Sequence, residues 1–83
     1  MMSLPSTRKT VDSRGSSCPG PLTDLFKAYR QASVGDVIDL LATDPVAESD
    51  VEAWATRSGN RVIEVVHETD FLRITVEIVR KGR

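Results

Sequence analysis

Cysteine is nearly missing from this chain: Cys18 is the only one in 83 residues. A lone thiol closes no internal disulfide and runs no two-cysteine redox cycle, so the sequence suits a reducing compartment, the cytoplasm. Apolar runs are short, and none approaches the roughly 20 residues of a membrane span. An excess of either charge is lacking too, since the formal net charge is -1. That balance excludes a general nucleic-acid binder, with its marked basic surplus, and an acidic disordered tail. The stretch from Met1 to Thr10 lacks the apolar segment of a secretory signal. No repeat, linker or low-complexity tract breaks the chain. At this length one domain is expected, read as residues 10–83 behind a flexible tail, 1–9. Its core is modest, because such a chain buries only about 60% of its unfolded surface.

What is present is clean alternation and punctuation. A brief extended piece at Lys9–Asp12 leads into a loop at Arg14-Gly15-Ser16-Ser17 and then Cys18-Pro19-Gly20-Pro21. Leu22, Leu25, Phe26 and Tyr29 follow at helical spacing. Prolines are tolerated only in a first helical turn, so this helix begins at or just after Cys18, and Val34-Gly35 ends it. Asp36–Ala42 is a strand, with Ile38, Leu40 and Ala42 on one face. Asp44-Pro45 starts a second helix, with aspartate as cap and proline in first position. That helix lines up Ala47, Val51, Trp54, Ala55 and Ser58, and Gly59-Asn60 stops it. Residues 61–67 and 71–79 form two strands around a turn at Glu68-Thr69-Asp70, and in the second Leu72, Ile74, Val76 and Ile78 alternate with Arg73, Thr75 and Glu77.

The order is therefore β-α-β-α-β-β, an α/β (α+β) two-layer sandwich. Right-handed crossovers place both helices on one face of a mixed four-stranded sheet whose first three strands run the same way. Both helix N-termini then emerge at one edge, together with Cys18 and Asp44.

Cys18 stands where chemistry is favoured. A thiol at a helix N-terminus faces the positive end of the helix dipole and free N–H groups. Such settings lower a cysteine pKa from about 8.5 to between about 3.5 and 7.5. Gly20 lets a backbone or a partner come close, Pro19 and Pro21 stiffen the frame, and Arg14 is a nearby positive charge of unknown direction. Free cysteines are often inert core residues. A position between Ser17 and Pro19, ahead of the first helical turn, is poorly suited to a core. The one histidine, His67, falls at the same sheet edge, where a polar strand end is the plainer reading than a Cys–His pair. Without a base, attack on a peptide or ester lacks support. Thiol-to-thiol sulfur exchange needs mainly an accessible thiolate.

At these residues the sequence resembles the TusA/SirA family of sulfur-carrier proteins. The resemblance starts at Val11–Leu22, which holds a Cys-Pro-x-Pro signature at Cys18–Pro21 with Gly15 three residues ahead of it. It continues through Val34-Gly35-Asp36, Ala42-Thr43-Asp44-Pro45 and Val79-Arg80-Lys81-Gly82. Ser16, where the family often has leucine, and Gly20, at the variable position, are the departures. The resemblance implies a β-α-β-α-β-β sandwich of strand order 1-2-4-3 and a persulfide carried on Cys18, framed by Pro19 and Pro21. It implies a sulfurtransferase of the carrier type with little activity in isolation. The donor is a cysteine desulfurase or rhodanese, the acceptor a protein of the DsrE/TusBCD type. Relatives serve tRNA thiolation, cofactor synthesis or sulfur oxidation, where the cargo can be thiosulfate. No cofactor, metal, membrane or direct nucleic-acid contact is expected. Two rival readings stand beside it: an interaction or regulatory module in which Cys18 is incidental, and a single-thiol redox sensor. The stiff proline frame and the missing resolving cysteine favour the carrier over the sensor.

Three further features have plain readings. Trp54 belongs to the core. Arg80, Lys81 and Arg83 are a solvated basic end, opposite Cys18. The sheet face away from the helices mixes Val37, Leu41, Val62, Val66 and Val79 with Asp39, Glu64, Arg73 and Glu77, an exposed half-apolar surface with room for a partner or a second copy.

Overall fold

The structure, a computed structural model, describes residues 8–15 and 20–80. Its elements are β1 (Arg8–Ser13), α1 (Gly20–Gln31), β2 (Val37–Ala42), α2 (Ala47–Ser58), β3 (Arg61–His67) and β4 (Leu72–Glu77). The sheet order is β1-β2-β4-β3. β1 and β2 are parallel, and β4 runs antiparallel to both β2 and β3, so the first three strands share a direction. This is the expected α+β sandwich. β1 reaches back to Arg8, so two residues assigned to the tail pair with β2.

Period-two alternation builds the core. Ile38, Leu40 and Ala42 of β2 lie opposite Val76, Ile74 and Leu72 of β4, and all six are buried. Leu25 and Ala28 of α1 and Ala47 and Val51 of α2 close over the same face. Each large side chain removed from water here contributes roughly 1.5–3 kcal/mol. Trp54 packs at the core margin between the helices, edge-on to Tyr29 with centroids 5.1 Å apart and tilted against Phe26 at 6.0 Å.

Four of the boundary shifts have a local reason. The regular part of α2 starts at Ala47, although the capping chemistry begins earlier. Asp44 Oδ1 accepts the Val46 N–H at 2.9 Å, and the Asp44 carbonyl accepts the Ala47 N–H at 3.0 Å. Asp44 thus caps a tight turn that feeds the α-helix. α1 stops at Gln31 rather than Val34, because Asp36 Oδ2 takes the Ser33 N–H at 2.9 Å. β4 ends at Glu77 because the chain beyond it bonds elsewhere. Ile78 exchanges backbone bonds with Asp36 and Gly35, while Asn60 Oδ1 accepts the N–H groups of Val79 and Arg80 at 2.8 and 2.9 Å. Phe71 lies in the turn ahead of β4, its carbonyl accepting the Glu68 N–H at 2.8 Å.

In β3 the register slips between Val62 and Glu64. That bulge corrects one expectation. Val62, opposite Val76, turns toward the helices and packs on the core with Val65, whereas Glu64 and Val66 keep the other face. An extra residue in one strand inverts the alternation on one side of it.

The face away from the helices is also less exposed than its sequence suggests. Asp39 is 5% and Thr75 1% exposed. Arg8 reaches Asp39 with Nε at 2.6 Å and Nη2 at 3.0 Å, and the Thr75 hydroxyl donates to Asp39 Oδ1 at 2.6 Å. Burial by itself would raise the Asp39 carboxyl. The hydrogen bonds from Thr75 and Arg8, with the charges of Arg8 and Arg73, more than offset it and hold the group below its ordinary value.

Candidate functional site

The C-terminal ends of β1, β2 and β3 and the starts of α1 and α2 meet along one edge of the sheet, as the topology requires. Parallel pairing aligns Ser13 with Ala42, so the chains leaving β1 and β2 emerge side by side.

From β1 the chain passes at once into a set of fixed contacts. Ser13 is almost fully buried, and its hydroxyl donates to Asp24 Oδ2 at 2.8 Å, tying the end of the strand to the second turn of α1. Asp12 accepts three bonds from Arg14: the backbone N–H at 3.1 Å, Nε at 2.9 Å and Nη2 at 2.8 Å. The Arg14 side chain, then its backbone N–H, then its charge hold the Asp12 carboxyl down at about 2. Arg14 is pushed up in turn by its bonds to Asp12. The same guanidinium lies over the Phe71 ring, 5.1 Å from its centroid. Arg14 is therefore directed at Asp12 and Phe71, with roughly half its side chain in solvent.

Gly15 follows in the left-handed region, φ 85°, which glycine adopts without penalty. Its N–H donates to the Thr43 hydroxyl at 2.8 Å, which joins the segment after β1 to the segment after β2. The four residues 16–19 come next and lie outside the described residues, so Cys18 and Pro19 fall there. The side chain of Pro21 is outside them as well. Gly20, half-buried, is the first residue of α1. No carboxylate occupies the first turn of that helix, leaving its positive end without an acidic counter-charge from its own first turn.

His67, at the end of β3, faces Glu48 in the first turn of α2, with Nε2 3.4 Å from Oε1. Between them and the β3–β4 turn lies a cleft of about 270 Å³, bordered by Thr43, Asp44, Glu48, His67, Asp70 and Phe71. Arg80, from the basic end, packs beside Gly59 at the far end of α2, while Lys81 and Arg83 lie outside the described residues. Among the described residues no group of three or more His, Cys, Asp or Glu is placed to hold a metal ion. No helix among them is long and apolar enough to cross a membrane.

Sequence reasoning brought Arg14, Gly20, Asp44 and His67 to this edge. It missed Asp12, Thr43, Phe71, and the Ser13–Asp24 bond. Thr43 was within reach: once β1 and β2 are paired in parallel, the residue after Ala42 must lie beside the turn after Ser13.

The fold and this edge define a class of small two-layer α+β proteins with two helices on one face of a mixed four-stranded sheet. A crystallised SirA-like protein from Desulfitobacterium hafniense has the same fold. It superposes with a TM-score of 0.75 at 20% identity, over 87% of this chain and 99% of its own. The chain belongs to the sulfurtransferase TusA family, whose model matches residues 9–78. It is 40% identical over 67 residues to an Archaeoglobus fulgidus protein, covering 81% of this chain and 92% of that one. A second from the same organism is 38% identical over 76 residues, covering 90% and 99%. A Bacillus subtilis relative is 30% identical over 69 residues, covering 83% and 92%. All three bear the name "Putative sulfur carrier protein".

Proposed function

We propose that this protein is a sulfur carrier that accepts a sulfur atom on Cys18 as a persulfide and hands it to a partner protein. Membership of the TusA family across residues 9–78 carries this reading, because that span contains the only cysteine of the chain. The transfer needs no metal and no net redox change. The Cys18 thiolate attacks the outer sulfur of a donor persulfide, an S–S bond forms at Cys18, and the donor cysteine leaves as its thiolate. An acceptor thiolate repeats the exchange on the Cys18 persulfide.

Three features of the edge support the chemistry. The first turn of α1 lacks acidic residues, so its N–H groups favour an anionic sulfur. Arg14 brings positive charge to the approach, tempered by Asp12. The sequence sets Pro19, Gly20 and Pro21 directly after Cys18, a stiff run with no side chain at its centre. Donors of the cysteine desulfurase or rhodanese kind and acceptors of the DsrE/TusBCD kind fit such a relay, serving tRNA thiolation, cofactor synthesis or sulfur oxidation. The working unit is the single domain 10–83. Its free thiol suits the cytoplasm.

Intact-mass spectrometry after incubation with a cysteine desulfurase and cysteine tests the reading. A gain of one sulfur mass is expected, and it is lost in Cys18→Ser. A wild-type chain that takes up no sulfur points to an interaction module instead, and an oxygen adduct formed only with peroxide points to a redox sensor.

A further inference from the structure

We propose that a second copy of this chain pairs with the outer edge of β1, antiparallel and with a two-fold axis at Val11, joining two four-stranded sheets into one. The sheet order leaves β1 and β3 as its outer strands. Along β3 the register slips between Val62 and Glu64, and a bulge of that kind hinders the addition of a further strand. β1 has neither bulge nor proline. It pairs with β2 in unbroken register, from Arg8 opposite Val37 to Ser13 opposite Ala42. Among the described residues no strand covers its other side, so a row of backbone N–H and C=O groups is open to pairing there.

The register follows from which side chains share a face. Lys9, Val11 and Ser13 lie level with Ile38, Leu40 and Ala42 on the helix side, while Arg8, Thr10 and Asp12 take the other. Residues directly opposite in an antiparallel pair share a face, so the axis falls on a residue of β1 and not between two. An axis at Val11 sets that residue against itself, Thr10 against Asp12 and Lys9 against Ser13 of the second copy. Ser13 holds Asp24 at 2.8 Å, so each Lys9 ammonium meets a carboxylate of the other copy. The same polarity marks a groove of about 310 Å³ between β1 and α1, with Asp12 and Asp24 toward one end and Lys9 at the other. A half-turn about Val11 lays acidic end on basic end. Lys9 is exposed and forms no ion pair with its own chain among the described residues. An axis at Thr10 fits less well. It opposes Arg8 and Asp12, already engaged with Asp39 and Arg14, and leaves Lys9 against Val11. Edge lysines ordinarily deter strand addition; here the charge selects the register that meets it with an acid.

Sedimentation equilibrium of the full chain tests this, with reductant present so that no disulfide joins two copies. The mean mass is expected to rise from one chain toward two with concentration, and the β1 amides to exchange more slowly over the same range. Lys9→Glu is expected to weaken association roughly 10-fold while unfolding at the wild-type temperature. Asp24→Lys is expected to weaken it as well. An equimolar mixture of the two variants is expected to associate like wild type, because opposite charges then meet at both places. A wild-type chain that stays single at every concentration overturns the proposal and leaves the β1 edge to a strand of another protein. A dimer that Lys9→Glu leaves unchanged overturns it too, as does one whose β1 amides exchange as fast as in the single chain. Should Asp24→Lys not fold, the Lys9→Glu and exchange results decide alone.

Discussion

Ser13 Oγ donates to Asp24 Oδ2 at 2.8 Å, joining the buried end of β1 to the second turn of α1. The donor side chain is out of water, so its loss cannot be repaired by solvent on the strand side. Ser13→Ala is expected to cost about 1–2 kcal/mol. Urea unfolding checks this: the midpoint falls while the slope is unchanged.

Asp39 links Arg8 on β1 to Thr75 on β4, and its folded pKa lies below the ordinary carboxylate value. A depressed folded pKa stabilises the native state fully above the unfolded value, near about 3.9, and that stability drains away as pH falls through the folded value. Wild-type stability is therefore expected to decline below about pH 4. Asp39→Asn is expected to be less stable at neutral pH and flatter in acid. Unfolding midpoints measured against pH in both proteins decide it, and parallel curves would remove Asp39 from the account.

Asp12 offers a local titration. Carbon-detected NMR of its carboxyl is expected to show a midpoint at about 2. In Arg14→Gln both the charge and the bidentate bonds are gone, and the midpoint is expected to return toward about 3.9. A persistently low value in that variant would assign the effect to another group.

Gly59 ends α2 with φ 83°, its N–H bonded to the Ala55 carbonyl at 2.9 Å. A Cβ there would stand 3.0 Å from Arg80 Cδ, the yielding part of a flexible side chain. The backbone conformation, more than the contact, sets the cost. Gly59→Ala is expected to destabilise by about 1–2 kcal/mol, and Gly59→Asn by less, because asparagine tolerates the left-handed region. Thermal melts of the two variants give the order.

Much of the fold was legible because burial imposes a period. Ile38, Leu40 and Ala42, and then Leu72 through Ile78, alternate as half-buried strands must. Leu22, Leu25 and Tyr29 mark the buried side of α1. The four strands, two helices and their order follow from those patterns, and the 1-2-4-3 strand order agrees with the family resemblance. Val62 was misplaced because a bulge is a property of two strands in register, and one strand alone does not reveal it. Asp39 reads as a solvated acid until Arg8, 31 residues away, and Thr75, 36 residues away, close on it.

At the candidate site the same division holds. Linear order was enough to place the start of α1 at Gly20, between Pro19 and Pro21 in the sequence, since the steric rules of proline act along the chain. The turning of Arg14 onto Asp12 and Phe71, and the capture of Gly15 by Thr43, required the strands to be brought together. Periodicity and local propensity are written residue by residue, and the sequence alone determined what depends on them. Hydrogen bonds between distant side chains depend on register and direction, which exist only once β1, β2 and β4 have paired, and so tertiary structure decided them.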